Sequence, residues 1–139
     1  MKLLIAGSRS YANQLITVVS LLDEILCHPT DHYFNEDITE VISGCASGID
    51  HAAIVWAKNN NIPVRKMPAD WKHKGITAGF QRNEEMAKLC DYAIIIWDKK
   101  SRGTQHMMDM LHKYDKEYLL WDRLPVIPNK KSGIVAVAM

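Results

Sequence analysis

Five short strand-like runs, the first four followed by a polar turn and a stretch with helical spacing, constrain this chain more than any other feature. The runs are residues 3–6, 40–43, 64–67, 92–97 and 118–121. Leu3 to Ala6 is continuously apolar, as a strand buried on both faces must be. A first helix follows Asn13, a residue suited to cap it, and carries Leu15, Val18, Leu22 and Ile25 at helical spacing up to His28-Pro29. A second opens at Ser47, with Asp50 completing the weaker, aspartate form of a capping box. It buries Ile49, Ala52, Ala53 and Trp56 and stops at Asn59-Asn60-Asn61 before Pro63. A third helix is expected near residues 77–89, and a fourth puts Thr104, Met107, Met108 and Leu111 on one face. Residues 30–37 and 68–75 read as loops, the second holding Trp71.

Strands alternating with helices give a parallel sheet with right-handed crossovers. The expected fold is α/β, a Rossmann-like doubly wound, five-stranded, mainly parallel sheet of order 3-2-1-4-5 with helices on both faces. The winding reverses between strands 1 and 4, and ligands of open α/β sheets bind at that reversal, outside the carboxyl ends of the strands. Residues 1–121 make one domain. Residues 122–139 form an extension whose run Ile134 to Ala138 suits an extra strand. A terminal apolar strand joins the sheet or pairs with another chain, so a homo-oligomer is expected.

At 139 residues, 47% hydrophobic and 24% charged, the chain can bury a core without staples. The net charge of +1 gives no global basic field, so a nucleic-acid partner is not expected and any anion site must be local. Three well-separated cysteines without a C-x-x-C motif point to a reducing compartment. No H-E-x-x-H motif occurs and the six histidines are spread along the chain, so neither a metal nor another cofactor is expected. The amino terminus is too short for a signal segment, and the run Ile134 to Met139 is too short to span a bilayer. The expected setting is cytoplasmic, with no membrane contact.

Helix amino ends present unpaired N–H groups and partial positive charge, which suits anions. After strand 1 stand Gly7, Ser8 and Arg9; after strand 4 stand Asp98, Ser101, Arg102, Gly103 and Thr104. Gly44, Ser47 and Gly48 make a third turn onto a helix. A glycine after a strand is ordinarily just the turn residue the connection needs. Three such turns at equivalent positions, two with an arginine, favour a phosphate cradle instead. Asp70 with Trp71 suits a surface loop and an aromatic lid, Arg82 with Asn83 a solvated helix face, and Asp98 a turn cap. Cys45 suits a small filler, with no histidine at a motif-like distance.

Taken together these segments resemble the YspA-like group of the SLOG superfamily. The resemblance is carried by Leu3 to Arg9, Val41 to Gly44 with Gly48-Ile49-Asp50, Pro68 to Trp71, Ala78-Gly79 with Arg82-Asn83 and Met86, and Trp97-Asp98 with Lys100 to Thr104. It runs in order over about residues 1–121 and implies a Rossmannoid domain that binds nucleotides or nucleotide-derived ligands. The superfamily includes LOG phosphoribohydrolases, the DNA-processing protein DprA and sensor domains of anti-phage systems. Group members are common in bacteria and phages.

The resemblance implies a ligand site of Gly7, Ser8, Arg9, Gly44, Ser47, Asp50, Asp70, Trp71, Arg82, Asn83, Asp98, Ser101, Arg102, Gly103 and Thr104. There are two departures. Relatives have Gly-Gly-Ala-Arg-Gly-Ala-Asp after strand 2, where this chain has Cys45 for the second glycine and Ser47 for the arginine. LOG enzymes follow Gly-Thr with a glutamate two residues on, where this chain has Gln105 and His106. Arg82 matches the LOG-type helix arginine, so if the site is catalytic its residues are Arg82 and a carboxylate such as Asp98, with Asp50 or Asp70 as substitutes. The expected function is a sensor or sequestering module for a nucleotide-type small molecule. The alternatives are a nucleotide N-glycosidase or phosphoribohydrolase and, behind it, a DprA-like DNA module.

Overall fold

The computed structural model describes residues 1–27, 38–75 and 77–122. Strands β1 (Lys2–Gly7), β2 (Glu40–Ser43), β3 (Val64–Lys66), β4 (Tyr92–Ile96) and β5 (Tyr118–Trp121) form one sheet of order β3-β2-β1-β4-β5. Every pairing is parallel, with Leu4 opposite both Ile42 and Ala93, and Ile94 opposite Leu119. The helices are α1 (Leu15–Cys27), α2 (Ile49–Asn59), α3 (Trp71–Lys74), α4 (Thr77–Leu89) and α5 (Arg102–Lys113), with a short 3-10 turn at Arg9–Tyr11.

The period-two alternation of the strands sorts the core into two layers. Leu3, Ile5, Val41, Ile94 and Ile96 pack with Val18, Leu21 and Leu22 of α1 and Ile49, Ala53 and Trp56 of α2. Leu4, Ala6, Ile42, Ala93 and Ile95 pack on the other face with Met86 and Ala87 of α4 and Met107, Met108 and Leu111 of α5. The sheet is thus covered on both faces, as an all-parallel sheet requires. The predicted order, strands and core faces all appear.

Three local expectations differ. Residues 71–74 are a helical turn, capped by the Asp70 side chain, which accepts from the His73 N–H. α2 starts after Gly48 at φ 82°, with no side-chain cap, so Ser47 and Asp50 do not form a capping box. Asp50 turns into the protein instead. α1 begins one residue later than a cap at Asn13 would set, because the Val18 N–H donates to the Gln14 carbonyl. The expected strand at 134–138, and with it the basis for an oligomer, lies outside the described residues. No helix among the described residues is long and apolar enough to cross a membrane.

Candidate functional site

The loops after β1 and β4 are stitched together at the switch point. The Ser8 N–H donates to the Ile96 carbonyl (3.1 Å), and the Asp98 N–H donates to Ser8 Oγ (3.0 Å). Asp98 Oδ2 accepts from the Ser10 hydroxyl (2.7 Å), and Oδ1 accepts from the N–H groups of Lys100 (2.8 Å) and Ser101 (2.7 Å). Burial works upward on this carboxyl, but the hydrogen bonds from Ser10, Lys100 and Ser101 outweigh it and hold the pKa down at about 2. Asp98 is therefore an anion committed to shaping the loop.

Beside this seam lies a small cup of about 70 Å³, lined by Gly7, Arg9, Ala46, Asp50, Arg82, Asn83, Ser101, Gly103 and Thr104, with Ala6, Met86 and Met107 as its apolar wall. At about 30 Å³ per water, that volume holds roughly two water molecules, or one tetrahedral anion. Arg82 reaches the cup from α4. Its Nη1 donates to the carbonyls of Gly44 (2.6 Å) and Met67 (3.4 Å), and its Nε donates to Asn83 Oδ1 (3.1 Å). Burial lowers the Arg82 pKa and the nearby Asp50 carboxylate raises it.

Gly44 makes this approach possible. A Cβ there would stand 2.6 Å from Arg82 Nη1 and 2.8 Å from Asp50 Oδ2. Gly48 meets a second close contact: its φ is 82°, and a Cβ would stand 2.5 Å from the Ser8 carbonyl oxygen. Cys45 has φ 65°, in the left-handed region that favours glycine.

Asp50 is the buried carboxyl of the cup, 4% exposed. Its Oδ2 accepts from the Ala46 N–H (3.3 Å), while Oδ1 has no hydrogen-bond partner. Burial pushes its pKa up to about 6, against the pull of the Arg82 guanidinium and the Ala46 N–H.

The amino end of α5 closes the far side. Ser101 caps it, accepting from the Thr104 N–H (3.3 Å) and the Thr104 hydroxyl (3.1 Å). The Asn83 side-chain amide donates to the Gly103 carbonyl (3.2 Å) and so ties α4 to α5. The cup opens into a wider recess of about 600 Å³, shared by Arg9, Arg82, Asn83, Ser101 and Gly103 and extended by Trp71, Gly75, Gly79 and Phe80.

Of the residues expected at the site, Gly7, Arg9, Asp50, Trp71, Arg82, Asn83, Ser101, Gly103 and Thr104 line these two spaces. Six line neither. Ser8 is buried in the seam, Gly44 lies against Arg82, Ser47 and Arg102 are exposed, Asp70 caps α3, and Asp98 is held by its loop. Sequence reasoning did not place Ala46, Gly75, Gly79 or Phe80 at the site. Phe80 carries a signal: it is a large aromatic two residues before Arg82 on a helix otherwise rich in polar residues. Among the described residues no cluster of His, Cys, Asp and Glu could hold a metal ion.

A family model, YAcAr, described as the YspA, cpYpsA-related SLOG family, matches residues 1–73. The match includes the loops after β1 and β2 and the Asp70-Trp71 turn; Arg82 and the loop after β4 lie beyond it. No curated protein matches the chain. The X-ray structure of DNA processing protein A (DprA) from Streptococcus pneumoniae is similar in fold, with a TM-score of 0.58 at 16% identity. The alignment covers 95% of this chain and 52% of that one, so this chain spans about half the length of DprA.

Proposed function

The chain belongs to the YspA, cpYpsA-related SLOG family, and from that premise we propose that it binds a nucleotide or nucleotide-derived ligand at the β1–β4 switch point, as a sensor or sequestering module. One observation carries the reading. Two arginines from different elements, Arg9 and Arg82, border a cup of one-anion size at the amino end of α5. A phosphate in it would meet guanidinium donors, hydroxyls and a helix dipole together. Arg9 is exposed, while Arg82 is placed by two carbonyls. Thr104 and Ser101 offer hydroxyls, and Gly103 leaves its backbone open, since a Cβ there would touch nothing within 4 Å. Arg102 is exposed and lines neither space.

Calorimetric titration with mono-, di- and cyclic nucleotides and ADP-ribose derivatives tests the proposal. We expect binding by at least one class, weakened about tenfold or more in Arg9→Ala, the loss expected for a charge-assisted hydrogen bond. No binding by any of them at millimolar concentration would sink the reading.

A second reading, N-glycosidic hydrolysis of a nucleotide, is favoured by Asp50. Of Asp50, Asp70 and Asp98, only Asp50 lines the cup. A carboxyl near 6 exchanges a proton at near-neutral pH, as a general acid or base must. Chromatography of nucleoside monophosphates after incubation would show base release. Asp50→Asn should abolish release and spare binding; release that survives the substitution excludes Asp50 from the chemistry. The likeness to DprA carries the fold and not DNA handling.

A further inference from the structure

We propose that Trp71 and Phe80 form a nucleobase platform in the outer recess, so that the ligand is held by a stacked ring as well as by its phosphate. The inference rests on the anion-cup reading and adds what the rest of the ligand must be.

Large aromatic side chains are expensive to leave in water, and two of them border one recess here. Trp71 is 50% exposed and Phe80 is 45% exposed. Both line the recess that is continuous with the arginine-bordered cup. They come from separate elements: Trp71 opens α3, and Phe80 lies in the first turn of α4. The surroundings fix both rings. At Gly79 a Cβ would stand 2.8 Å from the tip of the Trp71 ring, so the missing side chain lets the indole lie against α4. Phe80 packs on the His106 ring at 4.3 Å between centroids, and His106 is in turn within 3.2 Å of the Asn83 amide. The rings are thus held by contacts on their protein side while half of each remains open to solvent. Fixed aromatic faces lose little entropy when a flat partner arrives.

The polarity of the two spaces differs in the sense a nucleotide requires. The cup offers Arg9, Arg82, Ser101 and Thr104, and the recess adds two aromatics and two bare glycines. At about 600 Å³ the recess lies within the usual range for small-molecule sites. Arg9 borders both spaces, and its guanidinium lies over the Trp71 ring, 5.8 Å from the centroid. A base on the Trp71 face would meet that cation, and planar guanidinium groups stack on flat rings as well as pairing with phosphate. A sugar phosphate without a base would leave the platform wet.

Titration with AMP and GMP beside ribose 5-phosphate separates this inference from the reading beneath it. We expect each nucleotide to bind at least tenfold more tightly than ribose 5-phosphate. Trp71→Ala should erase most of that gap, at roughly five- to hundredfold per stacked base, and leave ribose 5-phosphate within about twofold. Phe80→Leu should narrow it in the same direction. Intrinsic fluorescence should change on AMP binding in the natural chain and change much less in Trp71→Phe. The half-exposed position of Trp71 allows these variants to fold, and far-UV circular dichroism checks that they do. Ribose 5-phosphate binding as tightly as AMP overturns the platform and leaves the cup, as does a Trp71→Ala loss equal for both ligands. Failure of AMP and GMP to bind overturns the platform, and failure of the di- and cyclic nucleotides and ADP-ribose derivatives as well overturns both.

Discussion

At the residue scale, Asp50 is the most informative side chain in the site. Its neighbours explain why its spacing also suggests a cap that it does not make. Spacing from Ser47 suggests a capping role, but Gly48 starts α2 at φ 82° and swings Asp50 under the loop after β2. No periodicity in a sequence encodes that rotation, because it is set by the close approach of Gly48 to the Ser8 carbonyl. Burial then makes the Asp50 charge costly. In the unfolded chain its pKa is ordinary, 3.8, and in the folded chain it is about 6. The folded state therefore holds the proton to higher pH, so the stability associated with this group falls as pH rises from about 4 to about 6. Asp50→Asn removes the charge while keeping the shape. Relative to its offset at pH 4, the variant should gain roughly 1–3 kcal/mol of stability by pH 7.5, read from urea unfolding at several pH values. A difference between the two proteins that stays constant with pH would mean that the carboxylate is not penalised where it sits. Asp98 behaves in the opposite sense. Its pKa of about 2 gives stability that is present above its ordinary value and lost as pH falls toward 2.

At the element scale, what the sequence makes legible is what burial periodicity controls. β2, β5 and α4 match their predicted bounds, because short apolar runs between turns and a helix with an apolar face leave strong patterns, even though β5 lies at the sheet edge with Leu120 exposed. The short elements are less legible. α3 is four residues long, and its cap, Asp70, reads equally well as a loop residue until the His73 N–H is seen to donate to it. α5 is the helix on which the site depends most. Met107, Met108 and Leu111 bury one face, and its first turn supplies Ser101, Gly103 and Thr104 to the cup. Ser101 is bonded three ways: its N–H donates to Asp98, its hydroxyl oxygen accepts from Thr104, and its carbonyl accepts from Trp97 Nε1 (3.1 Å). Ser101→Ala keeps the backbone bonds and deletes the cap, so it should cost about 1 kcal/mol. Urea unfolding measures the cost. A loss within a few tenths of a kcal/mol would mean that the backbone bonds alone fix this end of the helix. Ser101→Gly should cost less, because glycine tolerates the cap position.

At the scale of the whole molecule, net charge is a poor guide to the site. The chain carries only +1, yet Arg9 and Arg82 converge on one cup while their counter-charge, Asp50, is raised in pKa by burial. That convergence needs the strand order, because Gly7 and Arg9 follow β1, Asp50 sits on α2, Arg82 on α4, and Ser101 to Thr104 open α5. α1 and α2 pack on one face of the sheet, α4 and α5 on the other. A ligand in the cup therefore bridges both layers, and its binding energy should stabilise the domain as a unit instead of stiffening one loop. At a ligand concentration about a hundredfold above Kd, linkage adds about 2.7 kcal/mol, which for a chain of this size raises Tm by about 10 °C. Scanning calorimetry with and without the tightest-binding nucleotide should show one transition moved upward intact. A bound nucleotide that leaves Tm unchanged would mean that the unfolded chain binds it equally well, so that no folded cup is needed. A transition split in two would mean that the layers unfold separately, and that the cup is assembled by the ligand instead of being built into the fold.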